Sequence, residues 1–311
     1  MRIAVMGAGG MGGYFGGRLA RSGDAVAMIA RGAHLGAIRD RGLTVRSIGG
    51  DFTVTVPATD DPARVPDLIG PVDLVLFCVK SYDTVTAAEA IRPLLSAHTA
   101  VLSLQNGVDN EVTLSERLGA TRVLGGLVYG FAVIEAPGVI RHTQGGRIVF
   151  GELDGRPSPR VGQFLAAGRR AGFPIEAAAD VRHALWEKYL MICALSGLTA
   201  VTRRPIGEIR ACAESRRLYA TILEELVALA RAEGVALADD AAARSLVAAD
   251  ALNPDSYSSL YHDLSQGRRL ELEALQGHAV RLGTRHGIPT PALFAVYAAL
   301  RPAALAAEAS R

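Results

Sequence analysis

Residues 2–12 have the sequence RIAVMGAGGMG, and this stretch decides the fold class. The apolar run 2–6 predicts a buried strand, which the glycines follow directly. Three of these glycines fit the pattern G-x-G-x-x-G, in which a strand turns tightly into a helix whose first N–H groups hold the phosphates of a dinucleotide. Glycines also punctuate ordinary loops, but the helical pattern over 11–22 supplies the context that the motif requires. We therefore predict a dinucleotide-binding loop formed by Gly7, Ala8, Gly9, Gly10, Met11 and Gly12.

The rest of residues 1–178 alternates between strand and helix patterns, which predicts parallel strands with helices on both faces of the sheet. Strand patterns occur at 25–30, 43–47, 52–56, 72–79, 100–104 and 123–128, and helical patterns at 83–97 and 108–118. Residues 131–151 contain three short runs separated by PG and GG turns, which predicts an antiparallel addition to the sheet. A helix near 160–171 and a short strand at 173–177 follow. We predict a Rossmann-like α/β domain with a mainly parallel sheet over 1–178.

Residues 179–311 show no strand pattern of any length. Helical periodicity with Ala-rich and Leu-rich faces predicts that this part is an all-α domain, with helices over 181–202, 214–234, 239–251 and 268–287. Such faces are typical both of internal core and of a homodimer interface, and the sequence leaves these two alternatives open.

Composition limits the classes of function. The 311 residues carry a formal net charge of +2, and half of them are hydrophobic. Arginines are scattered rather than clustered, which argues against a nucleic-acid or membrane-surface role. The uncharged stretch 189–202 is too short to span a bilayer. The three cysteines, Cys78, Cys193 and Cys212, form neither a disulfide framework nor a metal-ligand pattern, so we expect a cytoplasmic protein without a metal site.

Arg31 follows the second predicted strand. A protein that binds NAD usually has Asp or Glu near this position to hydrogen-bond the ribose 2′-hydroxyl, but here no acidic residue occurs before Asp40. A guanidinium can instead bind a 2′-phosphate through two parallel hydrogen bonds. We therefore predict NADP rather than NAD, and the alternative is a solvated loop arginine in an arginine-rich chain.

Only two of the 33 basic residues, Lys80 and Lys188, are lysines. A compositional bias that replaces lysine wherever a positive charge suffices makes each surviving lysine a candidate for lysine's own acid–base chemistry. Lys80 follows the strand 72–79, and Asn106 follows the strand 100–104. Ligands bind at this carboxyl edge of parallel sheets, although Asn-Gly is also a common turn dipeptide.

Lys188 lies inside a predicted helix. A lysine on an apolar helical face is costly unless its charge is paired or lost, and the alternative is a side chain that extends to solvent at the edge of the face. The simpler interpretation of Glu271 is a surface charge that pairs with its neighbours on a helix. The simpler interpretation of Ser258 and Ser259 is a helix cap. These residues alone predict an NADP-dependent enzyme of unknown substrate. The face that carries Lys188 continues through Ile192, Leu195, Ser196 and Thr199.

The sequence as a whole resembles the ketopantoate reductase family (2-dehydropantoate 2-reductases). The motifs that carry the resemblance, in order, are GAGGMG at 7–12, Arg31, CVKSYD at 78–83, SLQNGVDN at 103–110, ALWEKYL at 184–190 and SSLYHDLSQGRRLELEALQG at 258–277. The resemblance implies a Rossmann-like domain and a helical domain, with NADPH reducing a 2-keto acid in a cleft between them.

Position by position, the resemblance also implies roles for single residues. Lys188 would be the general acid that protonates the carbonyl oxygen, and Glu271 would bond the substrate hydroxyl and help hold that lysine. Ser259 would contact the substrate carboxylate. Outside the glycine loop, the cofactor contacts would be Arg31 on the 2′-phosphate together with Lys80, Asn106 and Glu271. The positions facing the substrate would be Lys80, Asn106, Lys188, Ile192, Ser196 and Ser259.

Two positions depart from the family pattern. Where the family has asparagines four and eight residues after the catalytic lysine, this chain has Ile192 and Ser196. An unpaired polar group is penalised on binding, so these changes predict a different and less polar 2-keto acid as an alternative substrate. Further alternatives are a related hydroxyacid or imino-acid dehydrogenase and a non-catalytic NADP-binding sensor. Retention of Lys188 and Glu271 argues against the sensor.

Overall fold

The computed structural model describes residues 1–309, which divide into two compact units. The first unit contains Met1–Gln105 and Asn110–Val181, and the second contains Asn106–Asp109 and the chain from Arg182 onward. The division lies three residues later than the predicted boundary at 178. Val181 stays with the first unit because its side chain packs over the strand residue Gly125, where an added Cβ would lie 2.9 Å from it.

A ten-stranded sheet forms the centre of the first unit. Its strands are β1 (Arg2–Met6), β2 (Ala25–Ile29), β3 (Leu43–Ser47), β4 (Phe52–Val54), β5 (Ala58–Thr59), β6 (Leu74–Phe77), β7 (Ala100–Ser103), β8 (Val123–Ala136), β9 (Val139–Glu152) and β10 (Ile175–Ala177). The order is β4-β3-β9-β8-β7-β6-β1-β2-β5, with β10 beside β9. Only the β3–β4 and β8–β9 pairs of this sheet are antiparallel, so the prediction of a mainly parallel sheet is confirmed.

Helices cover both faces of this sheet. They are α1 (Gly10–Arg21), α2 (Gly32–Arg41), α3 (Val65–Ile69), α4 (Thr84–Ala90), α5 (Asn110–Leu118) and α6 (Pro159–Arg170). Alternate residues of β1 enter different cores: Ile3 packs with Phe15 and Phe164, whereas Ala4 packs with Leu114 on the other face. The helix predicted over 83–97 is shorter than expected, because Pro93 has no N–H and the chain continues only as a 3-10 turn over Arg92–Leu94.

The longest strands, β8 and β9, form one hairpin of two fourteen-residue strands. The predicted antiparallel addition is therefore present, and its PG turn at Gly138 is real. The predicted turn at Gly145 and Gly146 is wrong, because both glycines lie inside β9. Their φ angles of +63° and +107° allow an irregularity in the ladder without ending the strand.

The second unit is helical, and no strand follows β10 in residues 1–309. Its helices are α7 (Val181–Thr202), α8 (Ile206–Ala211), α9 (Ala213–Ala232), α10 (Ala241–Asp250), α11 (Ser259–Ser265), α12 (His278–His286) and α13 (Pro291–Ala309). The single helix predicted over 268–287 is wrong. Residues 268–272 are not helical, and a π-helical turn over Glu273–Gly277 precedes α12. Leu270 and Leu272 are buried without helix, so burial alone produced the apolar pattern.

Two helices, α7 and α13, are long and apolar enough to cross a membrane by length and composition alone. The uncharged part of α7, residues 189–202, is shorter than a bilayer requires, but the whole helix has 22 residues. In the most apolar 18-residue stretch of α7, 67% is buried inside the protein, as is typical of a core helix. In the corresponding stretch of α13 the buried share is 33%.

Candidate active site

The glycine loop of the first unit joins β1 to α1, and it needs glycine at three positions. Gly7 has φ +97°, a left-handed conformation that side chains disfavour. A Cβ on Gly10 would lie 1.9 Å from the Ala132 carbonyl oxygen of β8, and a Cβ on Gly12 would lie 2.2 Å from the Gly7 carbonyl oxygen. The predicted turn and the close packing of helix on strand are therefore both present.

Gly9 differs from these glycines because it faces open space. Its φ of −70° suits any residue, and no atom lies within 4 Å of the position that its Cβ would take. Gly9 is also the N-cap of α1, and the first intrahelical bond runs from the Gly13 N–H to its carbonyl at 2.7 Å. The earlier N–H groups of α1, from Gly10 and Met11, have no carbonyl four residues before them in the helix. This open, donor-rich end fits an anionic pyrophosphate.

The position of the loop in the sheet agrees with this fit. The strand order reverses at β1, because β2 pairs on one side of β1 and β6 on the other. Ligands of doubly wound sheets bind at the carboxyl ends of the strands beside such a reversal. Two of the predicted regions follow these strands: the glycine loop follows β1, and Lys80 follows β6 with a half-buried side chain.

Gln105, which no sequence pattern indicates, supports the chain around Lys80. Its side-chain amide donates to the Val79 carbonyl at 3.0 Å and to the Thr84 hydroxyl at 2.8 Å. These bonds tie the end of β7 to the segment that follows β6. A glutamine next to an Asn-Gly turn carries no local signal for this role, so only the tertiary contacts identify it.

Arg31 is the N-cap of α2 and is exposed. The first turn of α2 contains no acidic residue, and the structure shows no ion pair between Arg31 and another residue of the described chain. Its guanidinium is therefore available to a phosphate. The Cys78 thiol, which lies beside Gly12 of the glycine loop, stays protonated because burial raises its pKa to about 12.

The second unit contains Lys188, which is buried on α7 and only 6% exposed. Its Nζ donates to the Asn106 Oδ1 at 2.8 Å. Asn106 begins the segment Asn106–Asp109. Val108 packs against the core of this unit, and the Asp109 Oδ2 lies 3.3 Å from the His278 Nδ1. The structure thus joins two of the predicted residues directly.

Two titratable side chains near Lys188 on α7, Tyr189 and Cys193, have raised pKa values. Burial raises the pKa of the Tyr189 phenol well above its ordinary value, and the Tyr189 hydroxyl donates to the Leu275 carbonyl at 2.6 Å. Burial also raises the pKa of the Cys193 thiol. Neither group is therefore suited to donate a proton near neutral pH.

Ser196 is buried rather than presented to a substrate. Its hydroxyl donates to the Cys193 carbonyl at 3.2 Å and accepts from the Gln276 Nε2 at 3.0 Å. Ile192, one turn before it, is only half-buried and packs at the edge of the core. Gln276 lies in the π-helical turn, a geometry that is frequent at functional sites and that periodicity does not reveal.

Glu271 and Ser259 also belong to the second unit. Glu271 is 6% exposed and lies just before the π-helical turn, so the interpretation of surface charge pairing on a helix does not describe it. Ser259 begins α11 and is half-buried. Its neighbour Ser258 is the helix cap, accepting from the Tyr261 N–H at 3.1 Å and from the Thr199 hydroxyl at 2.7 Å.

In residues 1–309 no group of three or more His, Cys, Asp or Glu side chains is placed to hold a metal.

The sequences of both units match families of known proteins. Residues 3–155 match the family described as ketopantoate reductase PanE/ApbA, and residues 180–304 match the family described as ketopantoate reductase PanE/ApbA C terminal. These two ranges include the glycine loop, Arg31 and Lys80 in the first match and Lys188 and Glu271 in the second.

Individual relatives match over nearly their full length. The chain is 34% identical to a 2-dehydropantoate 2-reductase of Halobacterium salinarum, over 94% of this chain and 95% of the relative. A crystal structure of a PanE/ApbA family ketopantoate reductase from Ralstonia eutropha has a TM-score of 0.90 at 39% identity, over 99% of this chain and all of that one. A 2-dehydropantoate 2-reductase structure from Geobacter metallireducens also has a TM-score of 0.90, at 36% identity over 97% of this chain and all of that one. The chain is therefore an oxidoreductase of the ketopantoate reductase family.

Proposed function

We propose that this chain uses NADPH to reduce the carbonyl of a 2-keto acid, with 2-dehydropantoate (ketopantoate) as first candidate and pantoate, for pantothenate biosynthesis, as product. One observation carries the proposal: Lys188 is buried and hydrogen-bonded to the amide of Asn106 in a chain that has almost replaced lysine by arginine. The long, well-covered matches to proteins named 2-dehydropantoate 2-reductase support the choice of substrate.

The cofactor would be held mainly by the first unit. The N–H groups at the start of α1 would bind the pyrophosphate, and the exposed Arg31 would bind the 2′-phosphate and favour NADPH over NADH. Lys80, Asn106 and Glu271 would contact the cofactor nearer its nicotinamide. Bound NADPH supplies the hydride, so the chain's own residues need only orient the carbonyl and deliver one proton.

Lys188 would deliver that proton. As negative charge develops on the carbonyl oxygen, an ammonium beside it stabilises the charge and transfers a proton from Nζ to the oxygen. The resulting amine still has N–H groups that can donate to the Asn106 Oδ1. Glu271 would accept a hydrogen bond from the substrate hydroxyl and help hold Lys188, and Ser259 would contact the carboxylate.

The first test is the steady-state consumption of NADPH by the purified protein with ketopantoate and a panel of other 2-keto acids. We expect turnover of ketopantoate, and a lower KM for NADPH than for NADH because only NADPH has a 2′-phosphate for Arg31 to bind. Tight NADPH binding without turnover of any acid would contradict the proposal and favour the non-catalytic sensor.

A less polar 2-keto acid is the second candidate substrate. Ile192 presents a branched apolar side chain one turn after Lys188, and the Ser196 hydroxyl is already used inside the core. With no amide at either position, this face favours an apolar substituent over a hydroxyl on the substrate. In the same panel, a higher kcat/KM for an acid without a hydroxyl than for ketopantoate would support this candidate.

We also infer a cytoplasmic homodimer. The three cysteines are free, which suits a reducing compartment. Every exposed residue of α13 is apolar, with Phe294 and Leu305 about half exposed among alanines and prolines. Such a face can pair with its own copy about a two-fold axis, because alanines let two helices approach closely. Sedimentation equilibrium should give the mass of two chains, with Phe294→Glu shifting the protein to one chain. A monomeric wild type would contradict the dimer.

A further inference from the structure

His34 lies on the first turn of α2, and backbone groups contact both nitrogens of its ring. The Nε2 lies 2.9 Å from the carbonyl oxygen of Ala8, and the N–H of Gly138 donates to the Nδ1 at 3.0 Å. A backbone N–H only donates, so the Nδ1 accepts and carries no proton. The Nε2 therefore bears the hydrogen and donates it to Ala8. The surroundings thus select one neutral tautomer of this histidine.

The hydrogen bond from His34 to Ala8 restrains the backbone of the glycine loop. The Ala8 N–H donates to the Ile29 carbonyl at 3.1 Å, and the Ala8 carbonyl accepts from His34. Both backbone groups of Ala8 are therefore hydrogen-bonded. The Ala8–Gly9 peptide is trans, and in a trans peptide the C=O and N–H point in opposite directions. A carbonyl turned toward His34 therefore turns the Gly9 N–H away from it. The space beside Gly9 is open, since no atom of another segment lies within 4 Å of the position that its Cβ would take.

The bond to Gly138 fixes the ring in turn. Gly138 forms the turn between β8 and β9 with φ +79°, and a Cβ there would lie 2.9 Å from the Cβ of Ala37 on α2. The hairpin turn is thus seated on the helix that carries His34. Burial lowers the pKa of His34, and the hydrogen bond to Ala8 has a smaller effect in the opposite direction. The lowered pKa favours the neutral ring, so the Nδ1 remains able to accept from the Gly138 N–H.

We propose that His34 is a positioning residue for the cofactor pyrophosphate: it fixes the Ala8–Gly9 peptide so that the loop presents its N–H groups before a dinucleotide arrives. This inference rests on the proposed function. The pyrophosphate is common to NADPH and NADH, whereas the 2′-phosphate belongs to NADPH alone. His34 therefore strengthens the binding of both cofactors equally, in contrast to Arg31, which distinguishes between them.

The test compares dissociation constants for NADPH and NADH, measured by fluorescence titration, in three variants of the full chain. His34→Phe keeps the ring volume but removes both hydrogen bonds, and it should raise both constants about tenfold. His34→Gln supplies a donor and an acceptor, and both constants should stay within about threefold of wild type. Arg31→Ala should raise the NADPH constant alone. At saturating NADPH, kcat of His34→Phe should stay within about twofold of wild type, because the chemical step does not use the ring.

Three outcomes would overturn the inference or its basis. Unchanged constants in a folded His34→Phe would show that the histidine only stabilises the fold. An increase confined to NADPH would show that it acts through the 2′-phosphate. A wild-type chain that binds neither cofactor would overturn the proposed function, and this inference with it. If His34→Phe does not fold, His34→Asn, whose short amide cannot reach both partners, carries the same expectation of a tenfold rise.

Discussion

Replacing Lys188 by methionine is expected to lower kcat for the best 2-keto acid about a thousandfold while leaving the dissociation constant for NADPH within about twofold. Methionine has nearly the length of lysine, so the variant removes the ammonium with little change in volume. A general acid contributes about two to four powers of ten to rate, which sets the expected loss. Single-turnover kinetics at saturating substrate separate this loss from an effect on binding.

Thermal stability provides an independent readout of the same variant. Lys188 is buried and its Nζ donates to the Asn106 Oδ1, so removal of the ammonium leaves a buried acceptor without this hydrogen bond. We therefore expect the Tm of Lys188→Met to fall by a few degrees, far less than is needed to unfold the protein at the assay temperature. A thousandfold lower kcat in a variant that stays folded at that temperature would identify the loss as chemical rather than structural.

Two further variants make the prediction specific. Lys188→Arg keeps a positive charge but does not release a proton near neutral pH, so its kcat should also fall. Glu187→Gln changes the neighbouring residue, whose carboxylate pairs with Arg244 at 3.0 Å on the exposed side of α7, and it should keep the wild-type kcat. A kcat for Lys188→Met within tenfold of wild type would assign the proton to another group.

The parts of the site that local sequence determines were predictable, and the parts that depend on tertiary contacts were not. The glycine loop follows from a strand, a motif and a helix in succession, and the structure has all three. The contact of Lys188 with Asn106 joins residues 82 positions apart, and no local pattern contains it. The contacts of His34 and Gln276 are not predictable for the same reason, since an isolated polar residue on a helix gives no periodic signal.

The two wrong predictions about the fold have a common physical origin. Gly145 and Gly146 look like a turn because glycine permits left-handed backbone, but the long β8–β9 ladder uses that freedom for an irregularity inside a strand. Residues 268–272 look helical because their leucines are buried, yet the backbone there is irregular. In both places the packing of distant segments decided the conformation against the local pattern.

Gly9→Ala is expected to raise the dissociation constant for NADPH at least a hundredfold while changing the Tm by only a few degrees. The φ of −70° accepts alanine, and no protein atom lies within 4 Å of the new methyl group. The loss at the N-cap is about 1 kcal/mol or less, because alanine caps helices somewhat worse than glycine. If the pyrophosphate approaches the backbone where this space is open, the methyl group occupies the position of the ligand rather than that of the protein.

Two other glycines separate this effect from a loss of fold. Gly12→Ala would place a Cβ 2.2 Å from the Gly7 carbonyl oxygen, so it should lower the Tm as well as cofactor binding. Gly36→Ala lies inside α2 with nothing within 4 Å, and it should raise the free energy of unfolding by about 1 kcal/mol without changing NADPH binding. Fluorescence titration and thermal unfolding of all three variants give the comparison. Wild-type affinity in Gly9→Ala would show that the dinucleotide does not use this opening, because the methyl group has no other neighbour to disturb.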